Sequence, residues 1–157
     1  FQTSLAFPEQ KRVFRMIPGL QNAVFARYGV MHKNSYINGS NILNDNFRMK
    51  KDENIYFAGQ ISGVEGYVES AASGLMVAYS IISRLKEKEL HFPETTMLGS
   101  LAKYISTENK HFQPMNANFG ILKPLNEKIK DKKEKYQKLA NIAVENIEKI
   151  KNELIME

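Results

Sequence analysis

The feature that most constrains this chain is a run in which an apolar stretch passes through spaced glycines into a helical pattern. Ile55 to Ala58 are apolar, and Gly59, Gly63 and Gly66 follow before the helical periodicity begins. Because glycine adopts backbone conformations that other residues avoid, this spacing predicts a tight strand-to-helix turn that a ligand can approach closely. The first turn of the helix adds unpaired N–H groups and the positive end of a dipole. The same residues would also suit a turn that binds nothing, so both interpretations remain open at this point.

Apolar periodicity predicts four helices. The longest apolar pattern begins at Gly66 and runs for about five turns, which predicts one buried face formed by Val68, Ala71, Ala72, Leu75, Tyr79, Ile82 and Leu85. Further helices are expected from Pro8 to Pro18-Gly19, from Thr95 to about Ser106, and from near Asn126 to the end of the chain.

Three segments favour extended structure because they are rich in β-branched and aromatic residues. They are Ala23 to Ile37, Phe47 to Met49, and Ile55 to Ala58, with turn signals at Asn38-Gly39 and Asn44-Asp45. Together with the helices they predict an α/β fold.

Composition is that of a folded protein with a substantial core. The chain has 157 residues, of which 43% are hydrophobic and 25% charged. It lacks cysteine, which excludes disulfides and thiolate metal sites, and its three histidines lack metal-ligand spacing, so no metal is expected. The longest mostly apolar segment, Ala71 to Ile82, is shorter than the ~20 residues that cross a bilayer, so no membrane span is expected either.

The positive charge points to anionic partners. The net charge is +5 and the pI is about 9.3. Much of this charge lies on the last predicted helix, in Lys128, Lys130, Lys132, Lys133, Lys135 and Lys138. A solvated helix with i, i+4 charge pairs explains most of that pattern, and contact with a polynucleotide is the alternative.

Several segments together carry a family resemblance. They are the run from Asn54 to Gly74, Thr3-Ser-Leu with Gln10, Ile17-Pro-Gly-Leu20, Arg27-Tyr-Gly-Val-Met-His-Lys-Asn34, and Phe112-Gln-Pro-Met-Asn-Ala-Asn-Phe-Gly120. These closely resemble the folate- and FAD-dependent tRNA (uracil-5-)-methyltransferase family, which methylates a T-loop uridine. The resemblance implies the C-terminal portion of a two-dinucleotide-type FAD-binding fold with a helical tail. The chain has no initiating Met, no G-x-G-x-x-G motif and no cysteine, so we expect a fragment.

The resemblance also implies the site. It assigns cofactor binding to Gly59, Gln60, Gly63, Gly66 and Tyr67, and the folate side to His32. It implies FAD, NAD(P)H as reductant, 5,10-methylenetetrahydrofolate as carbon donor, tRNA as partner, and a cytoplasmic location. No catalytic residue is expected within the fragment, since the family's nucleophilic cysteine would lie upstream, in the missing N-terminal portion of the same chain.

The expected division places residues 1–92 in the FAD-binding domain, with its folate-side segment, and residues 93–157 in a helical C-terminal region. Two alternatives remain: an FAD-dependent protein that installs carboxymethylaminomethyl groups at the tRNA wobble uridine, and a noncatalytic basic module that binds RNA or protein.

Overall fold

The computed structural model describes residues 2–31 and 34–155. The chain divides into two compact units, residues 1–34 and 35–157, which are described separately.

The first unit contains one helix, α1 (Phe7–Phe14), which ends earlier than the predicted stop at Pro18-Gly19. Pro8 occupies its first turn, where a missing N–H has no consequence. Gln10 is almost fully buried and donates to the carbonyls of Leu5 (2.7 Å) and Gly29 (2.8 Å), while its Oε1 accepts from Gly29 N (2.9 Å). This polar clamp holds the following loop against the helix. On the exposed side of α1, a hydrogen bond from Arg12 lowers the pKa of the Glu9 carboxyl.

Within residues 35–155, the second unit is built from four α-helices and one 3₁₀ turn. The helices are α2 (Gly39–Ile42), α3 (Tyr67–Leu85), α4 (Met97–Ser106) and α5 (Lys132–Ile155), and the 3₁₀ turn spans Gly59–Ser62. Thr96 caps α4 by accepting from Gly99 N at 3.0 Å. The Asp131 carboxylate accepts from Glu134 N at 2.7 Å, which explains why α5 begins at Lys132 rather than near Asn126.

The core of this unit lies between α3, α4 and the irregular segments around them. Its buried members are Leu43, Phe47, Val64, Met76, Val77, Leu101, Ala102, Ile105 and Phe112. These residues come from both sides of position 92/93.

The expected strands do not form in the described residues. Residues 23–31 are irregular, and 47–49 and 55–58 make only isolated antiparallel bridges, Leu43 with Met49 and Arg48 with Tyr56. A strand is stabilised by a hydrogen-bonded neighbour along its whole length, and these segments have partners at single positions only. The helical part of the predicted fold is present, whereas its sheet is not.

The expected buried face of α3 is also wrong. Val68 is 79% exposed, Leu75 58% and Leu85 81%, while Met76 is 1% exposed. The helix buries the opposite side, formed by Ser73, Met76, Val77, Ser80 and Ser83. The small serine side chains on this side allow α3 to pack closely on the unit's core. Because this side faces the core, the side that carries Val68, Leu75 and Leu85 is left exposed.

No helix in the described part of the chain is both long enough and apolar enough to span a membrane. An apolar cavity of about 340 Å³ lies between α3, α4 and α5, lined by residues such as Tyr79, Leu98 and Ile150. None of its lining residues belongs to the glycine turn at 59–67.

Candidate functional site

The glycine turn has the backbone that its sequence predicts. Gly59, Gly63 and Gly66 have φ values of 71°, 96° and 107°, all in the region that side-chain-bearing residues avoid. The chain leaves Ala58 in an extended conformation, passes through the 3₁₀ turn, and enters α3 with Gly66 as N-cap. The predicted tight turn is therefore present, although an isolated bridge replaces the strand before it.

Two buried serines fix the start of this turn to α3. Gly59 N donates to Ser73 Oγ at 2.8 Å, and that hydroxyl donates to the Ser70 carbonyl at 2.8 Å. Ser62 Oγ donates to the Gly59 carbonyl at 2.7 Å. Both polar backbone atoms of Gly59 are thus satisfied within the protein, so a ligand would meet its Cα rather than its amide.

Gly63 has a packing role. A Cβ at this position would lie 2.5 Å from Phe112 Cζ, so the ring packs directly on the glycine backbone. The Gly63 carbonyl accepts from Met115 N at 3.0 Å, and Glu65 N donates to the Met115 carbonyl at 2.9 Å. The turn and the loop 112–120, nearly fifty residues further along the chain, are therefore joined by a parallel bridge.

The end of the turn presents free donors. The amides of Gly66, Tyr67 and Val68 have no acceptor among the described residues, and the Tyr67 side chain is 93% exposed. Three adjacent N–H groups at the start of a 19-residue helix can donate to an anionic or electron-rich ligand atom. The exposed Gln60 side chain also has no hydrogen bond in the described structure.

Glu69 links this helix start to the same loop. Its Oε1 accepts from Ala117 N at 3.2 Å, and a Cβ added to Gly66 would clash with its carboxylate. A carboxylate in the first turn is favourable for the helix dipole. The loop also caps itself, since Asn118 Oδ1 accepts from Gly120 N at 2.9 Å. The sequence identifies this loop only through its family resemblance and gives no sign that the loop lies on the turn.

The folate-side prediction concerns a different part of the chain. His32 lies outside the described residues. In the same family-like segment, residues 27–34, Tyr28 stacks on Phe7 and Phe25, with centroids 5.3 and 5.5 Å apart, which gives it a packing role in the first unit. The exposed Arg27 and Asn34 have no such contact.

In the described residues, no group of three or more acidic or histidine side chains has the geometry of a metal site. The structure thus gathers the five predicted cofactor residues, Gly59, Gln60, Gly63, Gly66 and Tyr67, in one turn. It adds Ser62, Ser73 and Phe112 as supports that sequence reasoning missed, because single serines and one phenylalanine carry no distinctive pattern.

Comparison with known proteins places these features in context. The family of glucose inhibited division protein A matches residues 1–89. A methylenetetrahydrofolate–tRNA-(uracil-5-)-methyltransferase from Streptococcus agalactiae is 56% identical over 155 residues, which is 97% of this chain and 35% of that protein. Its counterpart from Streptococcus pneumoniae is 58% identical over 151 residues, covering 94% of this chain and 34% of that protein. The chain therefore spans about a third of the length of these relatives. The resemblance seen in the sequence is confirmed.

Proposed function

Because this chain belongs to the family of glucose inhibited division protein A, we propose that it is the C-terminal part of a folate- and FAD-dependent tRNA (uracil-5-)-methyltransferase. The observation that carries the proposal is the 56–58% identity to named methyltransferases over nearly the whole chain. We use "full-length protein" for the complete enzyme. We place it in the cytoplasm, with tRNA as substrate and the remaining N-terminal portion as the structural partner of this chain.

The residues of the glycine turn fit a flavin. The reduced isoalloxazine concentrates negative charge at N1 and the C2 carbonyl, and the amides of Gly66 and Tyr67 are donors without acceptors in the described structure. Gln60 supplies an amide that can hydrogen-bond the ribityl hydroxyls. Gly59 and Gly63 keep the surface of the turn free of side chains, and Ser73 and Phe112 hold it in place.

In the proposed reaction a methylene group passes from 5,10-methylenetetrahydrofolate to C5 of a T-loop uridine, and bound FAD, reduced by NAD(P)H, supplies the reducing equivalents that yield 5-methyluridine. This chain's part is to bind and orient. The helix-start amides would stabilise negative charge on the cofactor, and we assign His32 to the folate side, because an imidazole can stack on a pterin or hold a proton. The nucleophilic cysteine belongs to the N-terminal portion.

The uncovered face of α3 supports the α/β part of the proposal. Val68, Leu75, Ile82 and Leu85 form an apolar stripe with a large exposed area, and a helix that covers a sheet needs such a stripe. We propose that a sheet from the N-terminal portion packs there and that residues 55–58 extend it as a strand. Residues 1–92 would then complete the FAD-binding domain, and residues 93–157 would form its helical C-terminal region.

Relatives named as methyltransferases favour this reading over wobble-uridine modification. A noncatalytic basic module would not need three glycines with positive φ beside free helix-start amides.

The test is to purify the full-length protein and measure two properties independently. The first is bound flavin, by absorbance. The second is carbon transfer from labelled methylenetetrahydrofolate to unmodified tRNA, with the product nucleoside identified after digestion. Bound FAD together with 5-methyluridine in the T-loop is the expected result. A flavoprotein that modifies only the wobble uridine would overturn the assignment, as would a protein without flavin.

A further inference from the structure

The positive charge of this chain is concentrated in one short segment. Residues 123–138 hold seven lysines and three acidic residues, a net charge of +4, whereas the whole chain has +5. All seven lysines are exposed: Lys123, Lys128, Lys130, Lys132, Lys133, Lys135 and Lys138. We call this segment the lysine segment. Among the described residues its ion pair is between Lys138 and Glu127, so most of these charges are not neutralised within the protein.

An aromatic pair holds this segment against the rest of its unit. Phe119 and Tyr136 stack with their centroids 4.4 Å apart and their planes at 6°. Lys132 Nζ lies 5.5 Å from the centre of the Tyr136 ring. These residues, with Asp131, Lys133, Gln137 and Ala140, line an open depression of about 560 Å³. The lysines at its edge are thus presented from a rigid helix rather than from a loose tail.

The local electrostatics work against stability. Lys132, Lys133 and Lys135 occupy the first turn of α5, where the helix dipole disfavours positive charge by about 0.3–1 kcal/mol per exposed residue. Glu134 in the first turn and Asp131 just before it offset part of this effect. A solvated helix that served stability alone would carry its lysines in the last turn, so this arrangement favours a role in binding an anion-rich partner.

We propose that the lysine segment binds the phosphate backbone of tRNA, with Lys132 and Lys133 at the centre of the contact. The inference rests on the proposed function, which makes tRNA the substrate. It goes further by assigning a contact surface to this part of the chain, remote in sequence from the glycine turn. Phosphate contacts give affinity and orientation without reading the base sequence. A cluster of exposed lysines suits contacts of this kind.

The experiment uses the full-length protein and unmodified tRNA. The double variant Lys132→Gln and Lys133→Gln is compared with the control Lys51→Gln and Lys110→Gln, which removes the same charge from exposed lysines elsewhere. We expect the first variant to raise the Kd for tRNA roughly tenfold at about 0.15 M salt. The slope of log K against log salt is negative, and its magnitude should decrease by about 1.4–1.8 because two phosphate contacts are lost. KM for tRNA should rise, while kcat, flavin content and circular dichroism stay unchanged.

The outcomes separate the two proposals. Equal Kd values and salt slopes for both double variants, in a protein that methylates tRNA, would overturn the lysine contact and leave the function standing. Wild-type protein that binds tRNA but transfers no carbon would overturn the proposed function. In that case, the Kd values of the two double variants for tRNA would decide whether the lysine contact stands. A kcat loss with unchanged Kd would also contradict the phosphate contact.

Discussion

At the scale of single residues, Gly66 is the position where backbone geometry and the proposed chemistry meet. Its φ of 107° and ψ of 147° belong to a region essentially restricted to glycine. Gly66→Ala would introduce strain of about 1–3 kcal/mol and displace the Glu69 carboxylate. In the full-length protein we expect FAD affinity to fall roughly tenfold, measured as flavin bound per folded protein.

Gly19→Ala is the matched control for that change. Gly19 also has a positive φ, 87°, but nothing lies within 4 Å of an added Cβ. The substitution therefore adds backbone strain in the first unit without a clash with a neighbouring side chain. Flavin loss in both variants, or in neither, would contradict a specific role for Gly66.

Ser73 provides a second residue-level prediction. Ser73→Ala would leave Gly59 N without its acceptor and should lower the free energy of unfolding by about 1–3 kcal/mol. Ser80→Ala is the control, because its buried hydroxyl only donates back to the Met76 carbonyl within α3 and should cost less than about 1 kcal/mol. Urea unfolding of this 157-residue chain, followed by circular dichroism, compares them. Equal losses would show that the Gly59 contact contributes nothing particular.

At the scale of elements, α3 shows what sequence can and cannot predict. Its start at Gly66 and its length follow from local signals, a glycine N-cap and sustained periodicity, and both are confirmed within about a residue. Which face is buried depends on what packs there, and within this unit the small serine side fits the core. The strands are missing for a related reason, since sheet pairing needs neighbours that periodicity cannot supply.

The candidate site likewise has one part that the sequence predicts and another that it does not. The turn at 59–67 was predictable because glycine spacing determines backbone conformation locally. Its contact with the loop 112–120 depends on residues nearly fifty positions apart, and nothing in either segment specifies the other. The burial of Gln10 could not be predicted from the sequence either, because no hydropathy pattern predicts that a glutamine is buried.

The two faces of α3 should respond differently to the same substitution. Met76→Lys places a charge in the core and should unfold this chain. Ile82 is 47% exposed, so Ile82→Lys should change the free energy of unfolding of this chain by no more than about 0.5 kcal/mol. In the full-length protein, Ile82→Lys should instead lower the melting temperature and the flavin content, because the proposed sheet covers that face. A full-length Ile82→Lys variant as stable as wild type would exclude this covering.

At the scale of the whole molecule, the cofactor needs more than this chain. A two-dinucleotide-type site holds the FAD pyrophosphate at a G-x-G-x-x-G turn, which is absent from these 157 residues. We expect the isolated chain to retain little or no FAD and to transfer no methyl group to tRNA. Equilibrium dialysis with FAD and the labelled-folate assay test this beside full-length protein. Tight stoichiometric binding by the isolated chain would refute the need for two distant segments.

The loop 112–120 connects two parts of the second unit, the glycine turn and the first turns of α5. Phe112 and Met115 hold one end on the glycine turn, and Phe119 holds the other on Tyr136 of α5. Phe119 follows Met115 by four positions, so their Cα atoms can be at most about 14 Å apart. An RNA strand bound at the lysine segment would therefore lie at a distance from the cofactor turn that this short stretch of backbone limits. Inserting two residues between Met115 and Phe119 would raise that limit.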